Sequence, residues 1–96
     1  MYHAPRRAQF WYHSRWLGRL RAPAFRYPHG YAYRRWYAGQ SLPLLFLATP
    51  YFFNDYMALG IEAPPPGYVW VRYGPDLLLV DRDTGEIDQV LYGVYY

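Results

Sequence analysis

Tyr68-Val69-Trp70-Val71-Arg72-Tyr73-Gly74-Pro75-Asp76-Leu77-Leu78-Leu79-Val80-Asp81-Arg82-Asp83-Thr84-Gly85-Glu86-Ile87-Asp88-Gln89-Val90-Leu91-Tyr92 is the stretch that decides the fold. Three runs rich in β-branched, aliphatic and aromatic residues are split by Gly74-Pro75-Asp76 and Asp83-Thr84-Gly85. Such runs suit a pleated surface, and Gly, Pro and Asp suit the turns between them. The pattern predicts an antiparallel meander with strands over residues 68–73, 77–82 and 86–92. Asp-Thr-Gly fits a three-residue hairpin loop with Gly85 left-handed at the bulge.

That register pairs Arg82 with Glu86, Val80 with Asp88 and Leu78 with Val90. A three-residue first turn sets Tyr73 opposite Leu77 and Val71 opposite Leu79. The expected core face then holds Val69, Val71, Tyr73, Leu77, Leu79, Ile87 and Leu91. The other face, with Trp70, Leu78, Val80, Val90 and Tyr92, is too apolar for plain solvent. It either receives residues 42–53 or forms an interface.

Upstream, Pro64-Pro65-Pro66-Gly67 reads as a polyproline II spacer delivering the chain into the first strand. Asn54 is expected to cap a short helical turn through Leu59, ended by Gly60. Residues 42–53 are the most apolar stretch, but Pro43 and Pro50 interrupt it. It is far short of the ~20 apolar residues a membrane span needs. Tyr51-Phe52-Phe53 is its expected strand portion, and residues 31–38 read as an edge strand. Over residues 6–21, Phe10, Leu17 and Leu20 fall near one helical face with Trp16 beside them. A basic helix and a flexible arm are the two readings there. The expected fold is thus β-rich, α+β at most. Residues 1–30 form a basic, aromatic-rich arm, and residues 31–96 a small β domain.

Charge is partitioned along the 96 residues. Residues 1–50 carry eight arginines and no acid, and residues 51–96 carry two arginines and seven acids. No lysine occurs, so every cation is a guanidinium suited to rings, carboxylates and phosphates. Thirteen tyrosines, five phenylalanines and four tryptophans exceed what one small core encloses. Some rings should therefore meet a protein partner or a second copy. Candidate contacts in the first half are Phe10, Trp11, Arg15, Trp16, Arg19 and the Arg34-Arg35-Trp36 run. Trp70 and Tyr92 are the candidates in the second half. The arm could also rest on an anionic membrane surface. Nucleic acid is disfavoured by the absent lysines and the acidic second half.

Cysteine is absent, which excludes disulfides and thiolate metal sites. No signal peptide is visible near Met1. His3, His13 and His29 are widely spaced, without an i, i+4 pair. They are the only imidazoles that nickel or cobalt could use, and exposed histidines in an arm are the simpler reading. Asp81, Asp83, Glu86 and Asp88 read as a solvated hairpin end rather than a cation site. Ser14 and Ser41 lack the context of a nucleophile, and Asp83-Thr84-Gly85 is explained by its turn. No catalytic residue, cofactor or small-molecule substrate is expected.

Several motifs resemble the RcnB-like family. Pro64-Pro65-Pro66-Gly67-Tyr68-Val69-Trp70-Val71-Arg72-Tyr73-Gly74 resembles its proline run, Gly-Tyr-x-Trp-Val-Arg segment and glycine turn. Leu77-Leu78-Leu79-Val80-Asp81 with Thr84-Gly85 and Ile87 resembles its next hairpin. Trp36, Gly39-Gln40, Leu42-Pro43, Asp55-Tyr56 and Leu59-Gly60 extend the similarity over residues 36–92. Pro64, Pro65, Pro66, Gly67, Trp70, Gly74 and Gly85 would be its structural positions. The resemblance implies a small periplasmic protein, with nickel and cobalt homeostasis as the role of the name-giving member. The leading expectation is a non-enzymatic cell-envelope interaction or assembly protein. Metal handling and nucleic-acid or anionic-surface binding are the alternatives.

Overall fold

The computed structural model describes residues 9–96. Its centre is a three-stranded antiparallel sheet of β3 (Tyr68–Tyr73), β4 (Asp76–Asp81) and β5 (Ile87–Leu91), in that order. A separate antiparallel hairpin, β1 (Gln9–Tyr12) and β2 (Arg15–Gly18), precedes it. The only α-helical turn among the described residues is α1 (Tyr56–Leu59).

The β3–β4 turn is one residue tighter than expected. Tyr73 pairs with Asp76, so Gly74 and Pro75 alone form the turn. Gly74 has φ +58°, and a Cβ there would strike the Tyr27 hydroxyl. The slip puts Leu78 opposite Val71 and Leu79 opposite Trp70. A one-residue slip moves a strand's whole side-chain set to the opposite face. The expected core face is corrected accordingly. Val69, Val71, Tyr73, Leu78 and Val80 share one face, and Trp70, Leu77 and Leu79 share the other.

The β4–β5 pairing begins as expected, with Leu78 opposite Val90. The register then shifts, and Val80 meets Ile87 rather than Asp88. Asp88 is the extra residue of a bulge and stays exposed. The shift carries Ile87 onto the Val80 face, where it is buried. Arg82 does not pair with Glu86. The Asp81 N–H donates to the Glu86 carbonyl at 2.9 Å instead. Asp81 Oδ1 accepts from the Asp83 and Thr84 N–H groups at 2.8 and 3.1 Å. Gly85 adopts φ +79°, as its loop requires, and a Cβ there would lie 2.7 Å from the Leu42 carbonyl.

Both faces of the sheet are buried, which suits strands that read as almost unbroken apolar runs. Residues 42–52 cross the Val71–Leu78 face, packing Leu42, Phe46, Tyr51 and Phe52 against it with Trp36. Pro43 and Pro50 turn this segment into two 3-10 turns, Leu44–Phe46 and Thr49–Tyr51. The expected strand at residues 51–53 is reduced to one bridge, Phe52 to Val71, and one bond, Phe53 N–H to the Trp70 carbonyl at 2.8 Å. The Trp70 face is covered by Phe10, Tyr12, Phe53, Leu59, Ile61 and Val94.

Residues 31–38 form no strand. The start of the outer edge of β5 is covered instead by residues 39–42. Gly39 N–H donates to the Ile87 carbonyl at 2.7 Å, Ile87 N–H to Gln40 at 2.8 Å, and Leu42 N–H to Gly85 at 2.9 Å. Covering this part of the edge takes up backbone groups on which strands of separate chains could pair.

Of the two readings for residues 6–21, helix or flexible arm, the described part (residues 6–8 lie outside it) forms neither a helix nor a loose arm but the β1–β2 hairpin, in which Phe10 faces Leu17 and Trp11 faces Trp16. Phe10 and Tyr12 point inward and Trp11 outward, a period of two that a helix cannot satisfy. His13 and Ser14, at φ 45° and 65°, form the two-residue turn. That left-handed pair is the type I′ geometry that matches strand twist. The chain then meets the C-terminal segment through an isolated parallel bridge from Leu20 to Tyr95. Asp55, not Asn54, occupies the position before α1, and Gly60 ends it at φ 91°. The proline spacer ends in a turn. Tyr68 N–H donates to the Pro65 carbonyl at 3.0 Å with Gly67 at φ 85°, a type II turn with Pro66 in its favoured place.

Candidate interaction surface

Arg34, Arg35 and Trp36 lie between the exposed rings of Tyr33 and Tyr37. Trp36 is itself buried and meets the Tyr73 ring edge-on at 5.8 Å. Its carbonyl accepts from the Tyr92 hydroxyl. These contacts pin the segment to the sheet while its cations stay outside. The Arg34 guanidinium stacks 3.8 Å over the Trp36 ring, and that of Arg35 lies 3.6 Å over Tyr92. Such stacking fixes a guanidinium yet leaves its in-plane N–H donors for a carboxylate or phosphate.

Asp76 lies beneath this surface and is 2% exposed. Tyr33 donates its hydroxyl to Oδ2 at 2.6 Å, and the Gly93 N–H donates to Oδ1 at 2.9 Å. Burial raises the Asp76 pKa, partly offset by these two bonds and by the Arg35 charge. The Tyr33 hydroxyl is pushed up by burial and by the adjacent carboxylate. With the folded pKa raised, the folded state binds the proton at a pH where the unfolded chain has released it. Asp76 therefore reduces stability as pH climbs through the acidic range. An asparagine amide in its place would accept from Gly93 and donate to the Tyr33 oxygen without carrying charge. We expect Asp76→Asn to match or exceed the native protein in urea midpoint at pH 7 and to flatten the acid-range slope. Asp76→Ala leaves both donors unmet and should lose about 1–3 kcal/mol.

The other anticipated surface residues fall into two groups. Phe10 and Trp70 are buried, as Trp36 is, so their rings belong to the core and not to an outer contact face. Trp11 and Trp16 are exposed and meet edge to face at 5.0 Å. Arg15 donates to the Gly60 carbonyl at 3.3 Å and Arg19 to that of Tyr95 at 2.6 Å.

Of the three histidines, His3 lies outside the described residues. His13 Nε2 sits 3.3 Å from Gln89 Nε2, and His29 is exposed beside the Pro28–Tyr31 turn. Among the described residues, no three His, Asp or Glu side chains gather as a metal cage.

Sequence reasoning missed Asp76, taken for a turn residue, and Arg72. Arg72 donates to the carbonyls of Gly74 at 2.9 Å and Pro23 at 3.1 Å, with its guanidinium 4.0 Å over Tyr95. Two grooves of about 310 and 370 Å3 meet around Arg72, Phe25 and Tyr95. A cation in the middle of an otherwise apolar strand was the available signal.

The stretch from Gly39 through Gln89, which covers the start of the β5 edge, crosses one sheet face and forms most of the sheet, matches the RcnB family model. That model is described as a nickel/cobalt transporter regulator and covers residues 39–89. The chain belongs to the RcnB family. No curated protein and no solved structure matches it. The RcnB match contains the expected structural positions Pro64, Pro65, Pro66, Gly67, Trp70, Gly74 and Gly85. The β1–β2 hairpin and the Arg34-Arg35-Trp36 run lie outside it. No helix among the described residues is long and apolar enough to cross a membrane.

Proposed function

We propose that this RcnB-family protein is a periplasmic, non-enzymatic regulator that serves nickel and cobalt homeostasis by binding a protein partner. The observation that carries the reading is the Arg34/Arg35 pair, held over Trp36 and Tyr92 on an exposed, tyrosine-flanked surface. Preorganised guanidiniums lose little freedom on binding, and Arg and Tyr are the residue types that dominate protein interfaces. An acidic partner surface is the complement.

The test is complementation of a deletion strain. Loss of the gene should change nickel or cobalt tolerance, and the native chain should restore it. Arg34→Ala/Arg35→Ala should fold normally and fail to restore it. Full restoration by that variant would remove the proposed surface. A second reading, direct metal handling, rests on the family description and on His13 beside Gln89. Saturable nickel binding that disappears in His3→Ala/His13→Ala/His29→Ala would favour it.

A further inference from the structure

We propose that the outer face of the β1–β2 hairpin docks onto an anionic phospholipid bilayer, with Trp11 and Trp16 entering the headgroup region. The inference starts from register. Trp11 and Trp16 are directly opposed, so both rings stand on the same side of the hairpin. They are 52% and 36% exposed and brace each other edge to face. They cannot turn inward, because the opposite side already seats Phe10 and Tyr12 in the core. Gly18, on the same outer side, has nothing within 4 Å of where a Cβ would stand. The two indoles are therefore held on the outer side, each partly exposed.

Two arguments select a bilayer. The first is area. Two half-exposed indoles offer on the order of 200 Å2, whereas a stable protein interface needs about 800 Å2 per partner. A membrane surface demands no shape complementarity, and indole, apolar with one polar edge, concentrates at headgroup depth. The second is charge. Arg15, opposite Tyr12 in the register, is exposed at the rim of the hairpin, Arg19 is engaged with Tyr95, Arg21 follows and is exposed, and residues 1–50 contain no acid. Arg15 makes its one described bond at the surface, leaving most of its five N–H donors for lipid phosphate. Basic residues with tryptophan at a surface are the composition of interfacial membrane anchors. This surface is distinct from Arg34/Arg35, so either reading can fail without the other.

The experiment titrates the purified full chain with vesicles of phosphatidylcholine alone or mixed with phosphatidylglycerol. Tryptophan emission and co-sedimentation are read together. Trp36 and Trp70 are buried, so a blue shift reports the outer pair. Binding to the mixed vesicles is expected, weakened by salt. Trp11→Ser/Trp16→Ser should lower the affinity by about tenfold or more. Absent binding of the native chain, or equal binding by the variant, would overturn the proposal. So would a tryptophan-dependent dimer by light scattering without any vesicle binding. Should the double variant lose its circular dichroism, quenching of the native chain by brominated lipid decides. Strong quenching supports insertion, and none refutes it.

Discussion

Trp70→Ala is expected to lose about 3–5 kcal/mol of unfolding free energy. At about 0.05–0.15 kcal/mol per residue, a 96-residue protein has roughly 5–14 kcal/mol in total. The substitution should therefore remove about a fifth or more of the stability, and most of it where the total is near 5 kcal/mol. Trp70, on edge strand β3, is 2% exposed and clusters with Leu77, Leu79 and Leu91 of the same sheet face and with Phe10 and Val94 packed on it. Its indole N–H donates to the Glu62 carbonyl at 3.0 Å, tying the proline spacer to β3. Alanine leaves a cavity the size of an indole and strands that carbonyl. Trp70→Phe separates the two effects, since it restores most of the volume and none of the hydrogen bond. It should recover more than half of the loss in urea melts.

How much of this was legible depends on how local the determining contact is. The meander was readable because apolar runs and turn residues alternate within a short window, and Gly85 and Gly60 take the left-handed conformations their positions implied. Turn length was not. Asp76 looks like a turn residue, and only Tyr33, 43 positions earlier, and Gly93, 17 later, make it a buried strand residue. That single residue of register exchanged Leu78 and Val80 for Leu77 and Leu79 between faces. The bulge at Asp88 depends in the same way on Gly39 and Gln40 bonding to Ile87.

The hairpin at residues 9–18 escapes the sequence for a different reason. Phe10, Leu17 and Leu20 satisfy a helical stripe, and His13-Ser14 lacks the Asn-Gly signature of a tight hairpin. The period of two at Phe10, Trp11 and Tyr12 is one of burial, which three consecutive aromatics do not display in sequence; it follows from the sheet that buries the inward pair. For the candidate surface, the run Arg34-Arg35-Trp36 could be found from composition. Its partner ring Tyr92 arrives only through the fold, and the burial of Trp70 and Phe10 follows from a sheet covered on both sides.

That two-sided covering is the central claim, and it makes residues 9–20 part of the core. Phe10 tests it most directly. It is 2% exposed, faces Leu17 across the hairpin and joins the Trp70 cluster. If the hairpin and sheet form one cooperative unit, Phe10→Ala should lower the urea midpoint of the whole protein, with a loss of about 3–5 kcal/mol. The near-ultraviolet signal of the buried Trp36 and Trp70 and the far-ultraviolet signal should then move together in one transition. A sheet that unfolds at the native midpoint in Phe10→Ala, with only the hairpin signal lost, would contradict the account and return residues 9–20 to the status of an attached arm.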